Sequence, residues 1–350
     1  MTTQPHHIAT VLDHPGAADG QRGNSATNAL DGLHRNQAAG LRNRPPLRCG
    51  FSPLDEVLTG GFRGGDFVLV GGKPGKGKTV AALQWARNMA KGGCRALFVS
   101  FEHDASSLLL RLLTLELAEA AAEEGCTDQL RLETLRGRLQ VLVSTSEPIA
   151  GVLGSDPLLH KAEERVRAYG EQLMLIESSR AGCDVRTLDR MVGSQPDQSC
   201  VLFVDYLQKL PSSSQAATDA ERVTEAAEAL KELALRRSIP VIAVVAADQA
   251  GLSARRTRLH HLRGSSALAY EADIVVMLND KLSIVSSSHL AYDTTRIHQF
   301  RGRVVFSVEK NRAGLPDVDL EFRKDFANYR FEPAGAWVSE RLWDETSPDD

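Results

Sequence analysis

From Cys49 onward, apolar residues fall into short, nearly unbroken runs separated by stretches with helical spacing. "DFVLVGG" (66–72), "CRALFVSFE" (94–102), "QLMLIES" (172–178), "PVIAVVAAD" (240–248), "ADIVVML" (272–278) and "RVVFSVEKN" (303–311) read as strands. "SCVLFVDYLQKL" (199–210) reads as a strand running into a loop. "TVAALQWARNMAKGG" (79–93) sets Val80, Leu83, Ala86 and Ala90 on one helical face and stops at Gly92-Gly93. A long helical region starts with "ASSLLLRLL". Residues 126–170 are mixed and mostly helical, with "LQVLVS" (139–144) ambiguous. "VRTLDRMVGS" predicts a short helix and "DAERVTEAAEALKELALRRS" (219–238) an amphipathic one. Strands that are aliphatic throughout suit a parallel sheet covered on both faces. Strand–helix alternation then predicts an α/β fold, a mostly parallel sheet with helices on both faces.

Residues 1–46 lack that periodicity. They are rich in Gly, Ala, Asn, His and Gln, end at Pro45-Pro46, and predict a flexible, disordered N-terminal arm. One domain over 47–345 and a short acidic tail at 346–350 complete the expected organisation. His6, His7 and His14 have no second cluster with which to build a metal site. Trp85 is expected in the core.

Composition narrows the function. The chain is 42% hydrophobic and 25% charged with a net charge of -4, so any nucleic-acid site must be local. Aromatic residues make up 5%, too few to suggest a base-stacking platform. The five cysteines are far apart with no C-x-x-C pair, which points to a reducing compartment and excludes a disulfide frame or zinc site. No N-terminal apolar core of a signal peptide is present, and no run approaches the ~18 apolar residues of a membrane span. A soluble, cytoplasmic protein without a membrane partner is expected.

The chemistry starts at "VLVGGKPGKGKTVAALQWA" (68–86). Gly72-x-x-x-x-Gly77-Lys78-Thr79 fits G-x-x-x-x-G-K-[ST] and lies between a predicted strand and a predicted helix, the context of a P-loop. Glycines at 72, 75 and 77 let backbone N–H groups turn toward phosphate oxygens, and the helix start adds its positive end. Gly72, Gly75, Lys76, Gly77, Lys78 and Thr79 are thus the expected ATP contacts, with Lys78 on the β/γ-phosphates and Thr79 on Mg²⁺. Hydrolysis needs carboxylates on neighbouring strand ends. "VLFVD" ends in Asp205, suited to Mg²⁺; "LFVSFE" ends in Glu102, suited to orient the attacking water. His103 follows Glu102 in the same loop, and Tyr206 follows Asp205.

These motifs, in this order, resemble the ATPase domain of DnaB-type replicative helicases, in the RecA-like P-loop NTPase group, from about Gly50 to Glu332. The phosphate loop and its lead-in "GFSPLDEVLTGGFRGG" are similar to the family's. "VSFEHD" resembles its glutamate motif, and "VLFVDYLQKL" its Asp-Tyr-Leu-Gln signature, which is the most specific match. "ERVTEAAEALKELALRRSIPVIAV", "HLRGSSALAYEADIVVML" and "VEKNRAGLPDVDLEF" resemble the segments that follow. The resemblance implies that Lys310 and Arg312 reach the γ-phosphate held by a neighbouring subunit. It implies that Arg263 and Gly264 lie in a loop touching single-stranded DNA, with Arg255, Arg256, Arg258, His260 and His261 around it. It further implies a homo-oligomeric, hexameric ring acting as a helicase, with a loader or primase as partner.

The chain departs from the family pattern in places. Ala246 stands where the family carries a glutamine that senses the γ-phosphate, and Gln249 lies three residues on. The DNA loop reads Arg263-Gly264-Ser265-Ser266 where the family has Arg-Glu-Ser-Gly. Residues 281–302 add a Ser-rich stretch expected to be an exposed loop, and residues 1–46 stand in place of the family's helical N-terminal domain. These departures leave two other readings: a RecA-like regulatory or recombination ATPase that does not unwind, and a nucleotide-gated DNA-binding scaffold.

Overall fold

The structure is a computed structural model that describes residues 25–38, 45–144, 148–178, 182–194, 199–211, 218–264, 266–285 and 294–343. The chain divides into two compact units, Met1–Pro45 and Pro46–Asp350. Within the first, Ala26–Ala38 is an α-helix; the three N-terminal histidines lie outside the described residues, as does the acidic tail.

The second unit is built on one ten-stranded sheet. In chain order its strands are β1 (Phe67–Gly72), β2 (Arg95–Ser100), β3 (Leu173–Glu177), β4 (Cys200–Asp205), β5 (Val241–Ala246), β6 (Ile274–Asp280), β7 (Arg303–Asn311), β8 (Val318–Asp325), β9 (Arg330–Phe331) and β10 (Ala336–Trp337). Across the sheet the order is β3-β2-β4-β5-β1-β6-β7-β8-β10, with β9 beside β8. The six strands from β3 to β6 pair in parallel; β7, β8, β9 and β10 extend the sheet antiparallel.

Alternate residues of the central strands enter opposite cores, as the strand period requires. Val68, Val70, Val201, Phe203, Ile242 and Val244 pack with the helices Lys78–Lys91 and Ala105–Glu123 on one face. Phe67, Leu69, Leu202, Val204, Val241 and Ala243 pack with the helices Val185–Gly193 and Asp219–Arg237 on the other. Helix ends follow local capping. Asp104 accepts from the Ser107 amide at 2.6 Å, and Thr218 with Glu221 forms a capping box ahead of Asp219–Arg237.

"LQVLVS", left open between helix and strand, lies in the helix Gln129–Ser144. It packs with part of Ala105–Glu123 and Pro157–Gly170 in a third cluster that includes Leu113, Leu117, Leu139 and Leu159. The stretch after β6 is not simply an exposed loop. Lys281 and Ile284, on the short helix Lys281–Ile284, are buried, as are Val285 and Phe300. Lys281 is neutralised by Glu321 and by Glu340 at 2.6 Å. The eight residues 286–293 lie outside the described set.

An aromatic cluster supports the loop after β1. Trp85 is fully buried against Phe51 at 6.0 Å and Phe62 at 5.6 Å between ring centroids. Phe306, Phe322 and Phe331 continue it, and Phe326 packs edge-on to Phe331 at 5.3 Å. This cluster fixes the helix Lys78–Lys91 against the antiparallel end of the sheet.

Candidate nucleotide-binding site

The sheet's topology brings the strand ends of β1, β2, β4 and β5 to one edge. Gly72 is level with Ala246, and Ser100 with Asp205. The turn after β1 reverses through Gly75 and Gly77, both in the left-handed region at φ +72° and +89°. Gly77 also tolerates no side chain, since a Cβ there would lie 2.6 Å from Phe331 Cζ and 2.7 Å from Phe326 Cζ. No side chain caps the helix that starts at Lys78, which leaves that end suited to an anion. The Lys78 ammonium folds back onto the loop, donating to the carbonyls of Gly72 at 2.8 Å and Lys73 at 2.9 Å. Burial lowers its pKa to about 8, against the opposing pull of Asp205 and Glu102.

Asp205 ends β4 with 1% exposure, and neither carboxylate oxygen has a hydrogen-bond partner. Burial pushes it up to about 6; Glu102 adds to the rise, while the Thr79 hydroxyl, Arg111 and Lys78 oppose it. Glu102 lies two residues beyond β2 and is exposed. The Phe101 amide donates to the Asp205 carbonyl at 2.7 Å, and the amides of Glu102 and His103 donate to Ser100 Oγ at 3.2 and 2.8 Å. These bonds hold the glutamate loop beside the end of β4. Gly75, Gly77, Lys78, Thr79, Glu102 and Asp205 all line one cavity of about 440 Å³. A buried carboxylate without a partner beside a threonine hydroxyl supplies oxygen donors that fit Mg²⁺.

Arg111, Phe326 and Tyr329 are among the cavity residues not singled out from the sequence. Arg111 is the one cation inside "SSLLLRLLTLEL", and a charge interrupting a leucine run was the available signal. Its guanidinium sits 5.3 Å from the centroid of the Tyr329 ring, and its Nη2 lies 3.1 Å from His103 Nε2. Phe326 and Tyr329 belong to the turn after β8, whose return to the phosphate loop is a long-range contact with no local sequence mark. His103 and Tyr206 also line the cavity.

Ala246 lines the cavity with a methyl group, whereas Gln249 is exposed on Gln249–Ser253 and is not part of the lining. Gln208, from the "DYLQ" stretch, bridges this wall to the next loop. Its Oε1 accepts from the Ala246 amide at 3.2 Å and its Nε2 donates to the Arg263 carbonyl at 2.9 Å.

Two expected phosphate contacts are placed differently. Lys76 does not line the cavity; it forms an ion pair with Asp280, which also receives Lys324 at 2.7 Å. The carboxylate at the end of β6, 204 residues away in sequence, draws the lysine off. Gly72 contributes a carbonyl to Lys78 and close packing on β6, since a Cβ there would be 2.5 Å from the Leu278 carbonyl oxygen. Lys310 and Arg312 stand at the far end of β7 and do not line this chain's cavity. Lys310 donates to the Ala269 carbonyl at 2.7 Å, and Arg312 donates to that of Tyr270 at 2.7 Å and pairs with Asp273 at 3.2 Å.

The basic stretch does not form one exposed DNA-facing loop. Arg256 is 5% exposed and bonds Ser307 Oγ at 3.0 Å and Asp319 at 2.5 Å. Arg258 pairs with Glu309 at 3.3 Å. Arg255 donates to the carbonyls of Ser283 at 2.9 Å and Val285 at 2.8 Å and stacks on Trp343. Acidic side chains on β7 and β8 neutralise the first two, a pairing that linear spacing does not show. His261 is buried and accepts from the Arg258 amide at 3.0 Å, whereas His260 is exposed. Arg263 is exposed and pairs with Asp219 at 2.9 Å. Gly264 beside it, at φ +129°, is pressed on Val223.

A sequence model of the DnaB-like helicase C terminal domain matches residues 46–331. The chain belongs to this family. Curated DnaB-like relatives include the replicative DNA helicase DnaB of Leifsonia xyli, 30% identical over 234 residues, covering 66% of this chain and 46% of that protein. That of Helicobacter pylori (strain ATCC 700392 / 26695) is 25% identical over 342 residues, covering 89% of this chain and 65% of that protein. The chain therefore spans about half to two thirds of the length of these relatives. Among solved structures, the ATPase domain of G40P matches with a TM-score of 0.66 at 20% identity, over 89% of this chain and 99% of that one. A DnaB-like replicative helicase studied with primase matches at 0.63 and 19% identity, over 90% and 68%. Both carry the same RecA-like fold, a mostly parallel sheet between two helical layers.

Proposed function

We propose that this DnaB-like chain is an ATP-driven DNA helicase that binds ATP and Mg²⁺ in the 440 Å³ cavity and works as a homo-oligomeric, hexameric ring on single-stranded DNA. The buried, partnerless Asp205 carboxylate beside Lys78 and Thr79 carries this reading. Membership of the family favours it over a regulatory ATPase or a DNA-binding scaffold.

Bound Mg²⁺ would supply charge to neutralise the phosphate oxygens, held by Thr79 and Asp205. Lys78 exchanges the two loop carbonyls for β/γ-phosphate oxygens. Its lowered pKa of about 8 rises again once anionic charge arrives, so the ammonium is retained where it is needed. Glu102, exposed at the cavity wall, orients a water in line with the γ-phosphorus. As the new P–O bond forms and the bond to the ADP oxygen breaks, Glu102 takes the water's proton. Arg111 faces the same space and stabilises the charge spreading over the transferred group. Lys310 and Arg312 of a neighbouring copy complete the site, because a fixed guanidinium fork suits the transition state and these residues do not reach their own cavity. Arg263 is the cation this reading assigns to the DNA backbone. A primase or loader is the class of further partner. A cytoplasmic location belongs to the same reading, and no helix among the described residues is long and apolar enough to cross a membrane.

The test is steady-state Mg·ATP turnover with and without single-stranded DNA, alongside mass measurement. Lys78→Ala is expected to abolish turnover. Arg312→Ala is expected to keep nucleotide binding and lose hydrolysis. A chain that stays monomeric with nucleotide, or an Arg312→Ala variant that hydrolyses at the wild-type rate, refutes the shared site.

A further inference from the structure

We infer that His103 is a positioning residue whose neutral imidazole holds Arg111 at the nucleotide cavity, so that protonating this one ring releases Arg111 and slows turnover. The inference rests on the hydrolysis reading above and adds a control to it.

The geometry carries it. His103 and Arg111 both line the cavity, and Arg111 Nη2 lies 3.1 Å from His103 Nε2 and 3.5 Å from Nδ1. A guanidinium has donors only, so the ring must present a lone pair or its electron-rich surface to it. An imidazolium offers neither and carries like charge. The backbone that carries the ring is anchored on both sides. The His103 amide is tied to Ser100 Oγ at 2.8 Å, and the next residue, Asp104, is fixed as the cap of Ala105–Glu123 by the Ser107 amide at 2.6 Å. Tyr329, from the turn after β8, supplies the other contact to the guanidinium, 5.3 Å from its ring centroid, and that contact does not depend on the charge of His103. Loss of the imidazole contact thus leaves Arg111 hinged on one side only.

The charged groups around the ring come from three elements. Arg111 on its helix and Lys209 beyond β4 disfavour the imidazolium, while Glu102 and Asp104 in the same loop favour it. Lys209 itself donates to the Phe101 carbonyl at 3.2 Å and lies over the Tyr206 ring. Burial comes first and Arg111 second in lowering the His103 pKa from its ordinary 6.5. The ring is therefore neutral at pH 7.5 and charges only below the usual histidine range.

The experiment has one arm that needs no nucleotide. Imidazole NMR of the full nucleotide-free chain should place the His103 titration below pH 6.5, and Arg111→Met should move it upward. In the second arm, kcat of the wild type should fall as pH drops through that midpoint, with KM for Mg·ATP changing less. His103→Ala should lower kcat at pH 7.5 by roughly ten- to a hundredfold, the scale of a misplaced charge. His103→Gln, a neutral acceptor that does not titrate, should restore part of that loss and remove the acid limb assigned to His103. An acid limb unchanged in His103→Gln, or a His103 midpoint at or above 6.5 that ignores Arg111→Met, overturns the inference. A wild-type chain without any Mg·ATP turnover overturns the hydrolysis reading instead, and the NMR titration then still decides whether neutral His103 holds Arg111.

Discussion

Replacing Asp205 with asparagine keeps the side-chain shape and removes a charge that the metal-free protein buries without a partner. Asp205 titrates at about 6 in the folded chain against an ordinary value of 3.8. A carboxylate raised in this way gives its full share of stability below the unfolded value and loses it as pH rises through the folded value. At ~1.4 kcal/mol per unit, the loss above pH 7 is on the order of 3 kcal/mol. The asparagine amide is itself left short of partners, at a cost of about 1 kcal/mol. Without Mg²⁺ or nucleotide, the Asp205→Asn chain should therefore be more stable than wild type by about 2 kcal/mol at pH 8. At pH 5 wild-type Asp205 is mostly protonated, and the advantage should shrink by about 1.4 kcal/mol. Urea unfolding in chelator at the two pH values reads both numbers. Adding Mg·ADP should reverse the order, because ligand bound only to the folded wild type adds RT ln(1 + [L]/Kd) to its stability. A difference between the two proteins that does not change with pH, or a variant less stable than wild type at pH 8, would refute the reasoning.

Four further changes separate fold from function. Arg87→Met removes the counter-ion of Glu116, which is fully buried, and should cost about 3–5 kcal/mol in denaturant unfolding, with Glu116→Gln recovering part in the same chain. Gly77→Ala forces a side chain to φ +89° and against Phe326 and Phe331. It should destabilise by about 1–3 kcal/mol and displace the phosphate loop, read as a lower Tm and weaker labelled-nucleotide binding. Arg263→Ala should weaken single-stranded DNA binding and flatten its salt dependence by about 0.7 for one lost phosphate contact, measured by anisotropy. Arg256→Ala should instead lower stability and leave that slope unchanged, because its partners are Ser307 and Asp319.

What could be read from the residues tracks how local the cause is. All seven expected strands match elements of the sheet, to within two residues or so at each end where both ends were given, because burial writes an aliphatic run into the sequence. Adjacent-strand carboxylates were legible for the same reason: Asp205 and Glu102 follow such runs. The seventh, "RVVFSVEKN", is β7 and pairs antiparallel, a direction that its composition does not encode. The fate of single cations was not legible. Lys76 goes to Asp280, Arg256 to Asp319 and Arg258 to Glu309, all partners at least 51 residues away. Arg111 was missed for the complementary reason. A lone charge in a leucine run reads as an interruption until the turn at Phe326–Tyr329 is seen closing over it.

β7 and β8 lie side by side between β6 and β10 in the sheet, and the two ends of the pair face different tasks. At one end the chain leaves β8 into the Phe326–Asn328 turn, which rests on Gly77. At the other, β7 delivers Lys310 and Arg312. Nine residues at ~3.3 Å each separate those ends by about 30 Å, with ladder bonds and no slack loop between them. The hinge between the aromatic turn and the cationic tip is therefore the sheet itself: a load applied at the phosphate loop reaches Lys310 and Arg312 through the β6, β7 and β8 ladders.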